Sequence, residues 1–293
     1  MRSRAWVAWL FMLPTLLVMA VIVFVPLAQS VAFSFTDLTN RNQGTIFKPP
    51  SWEFVGLDNY TYILTGGDPN FYPTLVWTVI WTVVNVFFHF SLGLLLALLL
   101  NQRFRGRTTY RLLLMLPWAV PAYITAISWR FLFNGEYGLI NSVIGLVSDQ
   151  RIAWLSEFPW YYVAPIIVNV WLGVPFMMVA LLGGLQSIPA ELYEAAQVDG
   201  ASRTQRFWNI TLPQLSSVSS TVILLGIIWT FNIFVVIYLV TGGGPGGKTD
   251  ILVTYTYQAF TRGDYSMAAA YAVVVFVLLI SFSAVYRRFT REA

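Results

Sequence analysis

The chain has 293 residues, of which 57% are hydrophobic, 17% aromatic and only 10% charged, with a mean hydropathy of +0.67. Soluble domains carry about 25% charged residues, so this composition excludes an ordinary soluble enzyme and intrinsic disorder alike, and points to a bilayer as solvent. The net charge of +4 requires no nucleic acid, because membrane proteins collect Lys and Arg on their cytoplasmic side, and a sequence without cysteine excludes disulfides and thiolate metal sites.

Six apolar runs of about 20 residues follow one another. They cover residues 5–28, 72–100, 112–133, 160–185, 218–240 and 267–286. The first run is longer than the roughly 7–15 apolar residues of a signal peptide and lacks a small-residue cleavage site, so it is expected to remain as a span. Pro117 and Pro121 interrupt the third run, and Pro165 and Pro175 the fourth. These prolines predict kinks beside a cavity, because the carbonyls they free need neighbouring helices or water. Thus an all-α polytopic membrane protein with six transmembrane helices is expected. Its parts are an N-terminus with the first span (1–35), an outer loop (36–71) with a short helix near 57–64, and a five-helix core (72–293) containing a polar loop at 186–215.

With the N-terminus inside, the cytoplasmic segments hold Arg2, Arg4, Arg103, Arg105, Arg107, Arg111, Arg203, Arg206, Arg287, Arg288 and Arg291, 11 of the 17 basic residues, while nine of the 13 acids fall outside. This asymmetry predicts both termini in the cytoplasm.

The 186–215 loop reads as two short helices. Ser187 and Pro189 mark a start, a helix runs from Ala190 to about Val198, Gly200 breaks it, Ser202 and Gln205 have capping-box spacing, and Pro213 ends the segment. Leu192, Ala195 and Ala196 share one face, with Glu191 and Glu194 beside it. From these residues alone, a docked soluble partner and an amphipathic loop lying on the membrane are equally acceptable.

Glu194-Ala195-Ala196, three residues, Gly200, nine residues and Ile210-x-Leu212-Pro213 together resemble the EAA loop of permease subunits of binding-protein-dependent ABC importers. The resemblance implies that this loop is a coupling helix seated on a cytoplasmic ATPase, carried by Glu191, Glu194, Ala195, Ala196, Asp199, Gly200, Ile210, Leu212 and Pro213. Phe54-Val-Gly-Leu-Asp-Asn-Tyr60 and Tyr238-Leu-Val-Thr-Gly-Gly-Gly-Pro245 look like the carbohydrate branch of that family. Leu116-Pro-Trp-Ala-Val-Pro121, Asn169-Val-Trp-Leu-Gly-Val-Pro-Phe-Met-Met178 and Arg105-Gly-Arg-Thr-Thr-Tyr-Arg111 are similar to the larger permease subunits of its maltose-type importers. The chain departs from those subunits in lacking extra N-terminal spans and a large inserted outer domain.

Gly242-Gly-Gly-Pro-Gly-Gly247-Lys248-Thr249 satisfies the phosphate-loop pattern to the letter. It lacks the preceding strand and following helix that the motif's chemistry needs, Pro245 removes a donor, and the charge asymmetry puts it outside. It is expected to be a glycine turn, with 251–257 extended.

No Asp or Glu falls in the middle of a span, which predicts an energy source outside the chain rather than proton or sodium coupling. His89 is read as an interhelical hydrogen bonder. Asn85, Asn169, Thr230 and Asn232 lie at depth, either as interhelical bonds or as partners for sugar hydroxyls. Phe176, Trp118, Trp171 and Phe231 are available as faces for a sugar ring. The family resemblance implies a substrate site half-way through the membrane at Trp118, Asn169, Leu172, Gly173, Phe176, Gly226, Thr230 and Ile233. Here Phe176 stands for Tyr, Gly226 for Ser, and Thr230 and Ile233 for Asn, so several hydrogen-bonding groups differ.

The resemblance thus implies a non-enzymatic permease of a bacterial or archaeal cell (inner) membrane. It would carry a maltose- or maltodextrin-type sugar, or a related disaccharide such as trehalose. No cofactor is expected in the chain, ATP and Mg being held by a partner ATPase dimer. A second permease subunit and an extracytoplasmic sugar-binding protein complete the expected assembly, and nucleic acid has no part in it. The alternative is a stand-alone secondary carrier of a neutral solute.

Overall fold

The computed structural model describes residues 5–291; Arg2 and Arg4, part of the charge asymmetry, lie outside the described residues. Four continuous helices are long and apolar enough to span a membrane: Trp9–Phe33, Phe71–Asn101, Trp160–Ser187 and Tyr265–Arg288. Two further spans arise if each of two sharply bent helix pairs crosses as one. Among the described residues β-structure is limited to isolated bridges, Thr36 with Phe54 and Thr45 with Lys48.

In chain order, α1 (Ala5–Met19) continues through a π-helical turn (Ala20–Phe24) into α2 (Val25–Phe33). No residue of the Trp9–Phe33 span is buried. α3 (Asp58–Leu64) is the short helix expected in the outer loop. α4 (Phe71–Asn101) is 31 residues long, about 46 Å at 1.5 Å per residue, more than the ~30 Å of hydrocarbon it must cross.

α4 is sided in a way that its uniform apolarity hides. Thr74, Thr78, Thr82, Asn85 and His89 are all buried, whereas Val76, Val79, Ile80, Val83 and Phe87 are exposed. In lipid the polar face must turn inward and be satisfied. Thr78 and Thr82 donate to the carbonyls four residues back, at 2.6 and 2.8 Å, and Asn85 donates to the Trp81 carbonyl at 2.8 Å.

The third span is broken rather than kinked. A residue before proline is pushed out of the helical region, and Val120 is extended (φ −81°, ψ 131°), as is Pro121 (φ −52°, ψ 132°). α5 (Arg107–Ala119) and α6 (Ala122–Leu132) therefore meet at 89°. The short α7 (Leu139–Ile144) follows. α8 (Trp160–Ser187), by contrast, runs unbroken through Pro165 and Pro175. Ser187 is its last residue, bonded to the Gly184 carbonyl at 2.8 Å, so it does not start the next helix. The non-helical Pro189 (φ −58°, ψ 133°) precedes α9 (Ala190–Val198) instead.

α9 gives way to Gly200, whose φ of +77° lies in the left-handed region that favours glycine and, after it, Asn. The expected capping box opens α10 (Arg203–Arg206): Gln205 N–H donates to Ser202 Oγ at 3.3 Å, and Ser202 N–H donates to Gln205 Oε1 at 2.7 Å. Pro213 does not end this segment. It lies in the first turn of α11 (Leu212–Gln214), after a π-helical turn at Phe207–Thr211, where its missing N–H is tolerated. The 65° bend comes afterwards, before α12 (Ser216–Phe231). A tight turn at Ile233 (φ −74°, ψ 81°), closed by Phe234 N–H to the Asn232 carbonyl at 2.8 Å, separates α12 from α13 (Phe234–Val240).

The stretch expected to be extended at 251–257 is instead α14 (Leu252–Thr261). Its alternation suggested an extended piece, but Ile251, Leu252, Tyr255 and Ala259 are buried at helical spacing. Two otherwise orphaned N–H groups find threonines: Ile251 donates to Thr254 Oγ1 and Leu252 to Thr78 Oγ1, both at 3.0 Å. α15 (Tyr265–Arg291) completes the chain.

By internal contacts the chain forms two units. One comprises residues up to Tyr72 with Tyr255–Leu278; the other comprises Pro73–Thr254 with the residues after Leu278. In the first, the outer loop is tied down: Asn59 donates to the carbonyls of Ser34 (2.9 Å) and Thr36 (2.8 Å), Asn40 N–H to Gly263 O (2.7 Å), and Ser266 N–H to Leu38 O (2.9 Å). The second holds two apolar cores, one around Trp81, Phe133, Val168 and Ile237 and the other around Ala97, Met177, Leu181 and Leu215.

Candidate functional site

Within the second unit, a cavity of about 390 Å³ opens where two helices are interrupted. The extended Val120–Pro121 junction supplies one wall together with Trp118, and the end of α12 with Ile233 supplies another. α8 contributes Asn169, Leu172, Gly173, Phe176 and Met177, and α4 contributes His89. All eight residues named from the resemblance (Trp118, Asn169, Leu172, Gly173, Phe176, Gly226, Thr230 and Ile233) line this one cavity. His89, Met177 and Trp229 also line it and were not foreseen there, whereas Pro121, expected to kink its helix beside a cavity, does line it.

His89 donates to the backbone carbonyl of Asn169 at 2.8 Å, the interhelical bond expected of it. It also lies so close to Gly173 that a Cβ there would collide with the imidazole ring. Phe176 packs edge-on against Trp229, with ring centroids 4.8 Å apart. Trp81 donates to the Thr230 carbonyl at 3.0 Å, fixing the end of α12 against α4. The Asn169 amide nitrogen is buried and has no hydrogen-bond partner. It is a donor with its cost of desolvation unmet.

Several residues singled out for sugar contact lie elsewhere. Asn85 bonds within α4, and Asn232 is exposed at the α12–α13 break, donating to the Ile228 carbonyl at 3.1 Å. Trp171 lines a separate apolar groove, and Phe231 is buried outside the cavity lining.

The 186–215 loop presents Glu191, Glu194, Ala195, Asp199, Gly200 and Pro213 to solvent, with Ala196, Ile210 and Leu212 half-buried. Three large apolar side chains beside them, Leu192, Val198 and Trp208, are also exposed. Tyr193 and Thr211 share a hydrogen bond of 2.9 Å, which fastens α9 to the segment that follows.

Most N–H groups of the glycine turn at 242–249 are already engaged. Gly244 donates to Thr241 O, Lys248 to Pro245 O, Thr249 to Gly243 O, and Asp250 to Gly247 O. The Asp250 carboxylate fills the space beside Gly243. A helix does follow, but a loop with most of its donors spent and an acid in its concavity disfavours phosphate.

What these helices enclose is a small cavity with amide and aromatic walls, and the chain is a membrane permease rather than an enzyme. It belongs to the family of binding-protein-dependent transport system inner membrane components, which its residues 89–293 match. The trehalose/maltose transport system permease protein MalF of Thermococcus litoralis is 38% identical over 288 residues, 98% of this chain and 95% of that protein. The maltose/maltodextrin transport system permease protein MalF of Escherichia coli K12 is 38% identical over 252 residues, which are 81% of this chain and 49% of that longer protein. The fold is that of a chain in the crystal structure of a bacterial ABC transporter involved in the import of the acidic polysaccharide alginate. The TM-score is 0.83 with 22% identity, over 99% of this chain and 96% of that one.

Proposed function

We propose that this chain is the gate of an ATP-driven importer for a neutral carbohydrate, a maltose- or maltodextrin-type sugar or a related disaccharide such as trehalose. One observation carries the reading: eight residues scattered from Trp118 to Ile233 converge on one cavity at two helix interruptions. Interrupted helices lining a cavity are how membrane proteins expose backbone and amide groups to a polar solute at depth. Asn169 would give its unpartnered N–H to a sugar hydroxyl, Thr230 would add a hydroxyl, and Phe176 and Trp118 would cover the ring's C–H faces. A volume of about 390 Å³ lies at the small end of the roughly 300–1,000 Å³ range of small-molecule sites, which favours a short saccharide. With Phe176, Gly226, Thr230 and Ile233 in place of more polar residues, the site would hold its sugar through fewer side-chain hydrogen bonds than its maltose-type relatives.

The exposed 186–215 loop supports coupling from outside the membrane. A cytoplasmic ATPase dimer, holding ATP and Mg, would grip α9 through Leu192, Ala195 and Ala196, flanked by Glu191, Glu194 and Asp199. Its closure would rock the helices as rigid bodies between inward- and outward-open states. Both termini would face the cytoplasm, a second permease subunit would complete the passage, and an extracytoplasmic binding protein would deliver the sugar.

The test is reconstitution in proteoliposomes with the ATPase, the second permease and the binding protein, across a panel of saccharides. Uptake should require all components and ATP. Uphill uptake by this chain alone would refute the reading and favour a secondary carrier.

A further inference from the structure

The hairpin joining α4 to α5 carries Arg103, Arg105, Arg107 and Arg111, while the chain has no acid between Asp68 and Glu136. Arg111 closes the hairpin by donating to the Leu100 carbonyl at 3.3 Å. Beside it, Arg103, Phe104, Gly106, Arg107 and Thr108 line an open depression of about 560 Å³. The first turn of α5 opens onto this depression with neither a side-chain cap nor an acidic residue, so its N–H groups add to the positive potential.

The same two helices also border an apolar groove of about 710 Å³, closed on its far side by α8. Val84, Phe88, Leu92 and Leu96 supply it from α4, and Leu114 and Pro117 from α5. Arg107, Arg111 and Leu114 stand at i, i+4 and i+7 on α5 and so share a face. Depression and groove therefore follow one line down the hairpin. From Leu96 to Val84 the groove runs about 18 Å at 1.5 Å per residue, close to the ~15 Å hydrocarbon depth of one leaflet. Phe104 and Tyr110, exposed with ring centroids 5.8 Å apart, stand at the junction, where aromatic rings mark the membrane–water boundary.

We propose that the α4–α5 hairpin is a binding site for an anionic phospholipid. The lipid phosphate sits among Arg103, Arg107 and Thr108, and one acyl chain fills the groove along Leu96, Leu92 and Phe88. Neither cavity suffices alone. The cationic depression selects the headgroup charge, and the groove selects a chain of leaflet length over a soluble anion. The site is separate from the cavity at Asn169 and holds whichever solute that cavity carries.

The test uses the assembled transporter, purified in mild detergent and titrated with phosphatidylglycerol, with phosphatidylcholine of the same chains, and with inorganic phosphate. Bound lipid is counted by native mass spectrometry and stability read as Tm. Wild type should retain phosphatidylglycerol through delipidation and gain Tm from it but not from the other two. The R103Q/R107Q double variant should bind it about thirtyfold more weakly, from the worth of two Arg near an anionic surface. L92W, which fills the groove and leaves the arginines in place, should lose the lipid as well. Equal response to the two phospholipids, a full Tm gain from inorganic phosphate, unchanged retention by either variant, or a groove occupied by a partner helix with no lipid retained would each overturn the proposal.

Discussion

His89 on α4 occupies the space that a side chain at Gly173 on α8 would need, and the same ring bonds the Asn169 carbonyl one turn away at 2.8 Å. Helix contact and cavity shape are thus set by one pair. Gly to Ala inside a helix normally gains up to about 1 kcal/mol. At Gly173 the new methyl would meet a buried ring, and overpacking costs about 1–3 kcal/mol. Gly173→Ala should therefore lower the Tm of the purified complex and its sugar uptake, and adding His89→Ala should recover part of the Tm. A Gly173→Ala protein as stable as wild type would show that the ring moves aside at no cost.

Gly200 tests the handle without steric interference, because nothing lies within 4 Å of a Cβ placed there. Its φ of +77° is the whole constraint. A β-branched residue in that conformation costs about 1–2 kcal/mol or more, whereas Asn adopts it readily. Gly200→Val should separate ATP hydrolysis from uptake, with hydrolysis persisting while transport falls; Gly200→Asn should transport nearly as wild type. Equal behaviour of the two variants in paired ATPase and uptake assays would remove turn geometry from the coupling.

Much of this architecture was legible in the residues. Four of the six apolar runs (5–28, 72–100, 160–185 and 267–286) coincide with continuous helices long enough to span, because a bilayer demands about 20 apolar residues per helix, and Ser202 with Gln205 announced a capping box that forms as expected. Less legible was anything decided by tertiary contact. Every proline disfavours helix at the residue before it, yet Pro121 breaks its helix and Pro175 is absorbed, a difference that tertiary packing decides. The inward threonines of α4 went unread because Thr satisfies itself on its own helix and leaves the run's apolar look intact. α14 was misread because its apolar alternation resembles a strand until Thr78, far along the chain, supplies the partner for the Leu252 N–H. The cavity walls at Trp118 and Asn169 were reached through family likeness; periodicity alone would not have joined α5, α8 and α12.

Asp68, buried just before α4, accepts from Tyr255 at 2.9 and 3.0 Å and from Tyr271 at 2.5 Å. Charge-assisted bonds of this kind contribute about 1.5–3 kcal/mol each. Asp68→Asn should destabilise the purified protein by about 2 kcal/mol or more, and Tyr255→Phe by less. The pH dependence follows from Tyr255, whose hydroxyl is pushed above the ordinary tyrosine value of about 10 by burial first and by the Asp68 carboxylate next. A group raised on folding stabilises fully below its unfolded value and less as pH climbs through the folded one. The stability gap between wild type and Tyr255→Phe should therefore be flat from neutral pH to about 10 and narrow above it in thermal unfolding runs. A gap that narrows on acidification would contradict this assignment.

Asn169 separates a structural role from a functional one most sharply. Its side-chain nitrogen is buried without a partner, and its bond to His89 uses the backbone carbonyl, which any residue supplies. Truncating a satisfied buried amide costs about 1–3 kcal/mol; removing an unsatisfied donor costs nothing in hydrogen bonding. Asn169→Ala should leave the stability of the complex, read from Tm, within about 1 kcal/mol of wild type, allowing for the small volume lost. If the free N–H waits for a sugar hydroxyl, the same substitution should reduce binding-protein-dependent uptake by about 10–100-fold, the worth of one strong hydrogen bond inside a dry site. Uptake measured beside Tm decides between the two. A fall in both would make Asn169 a packing residue, and a fall in neither would place the sugar elsewhere.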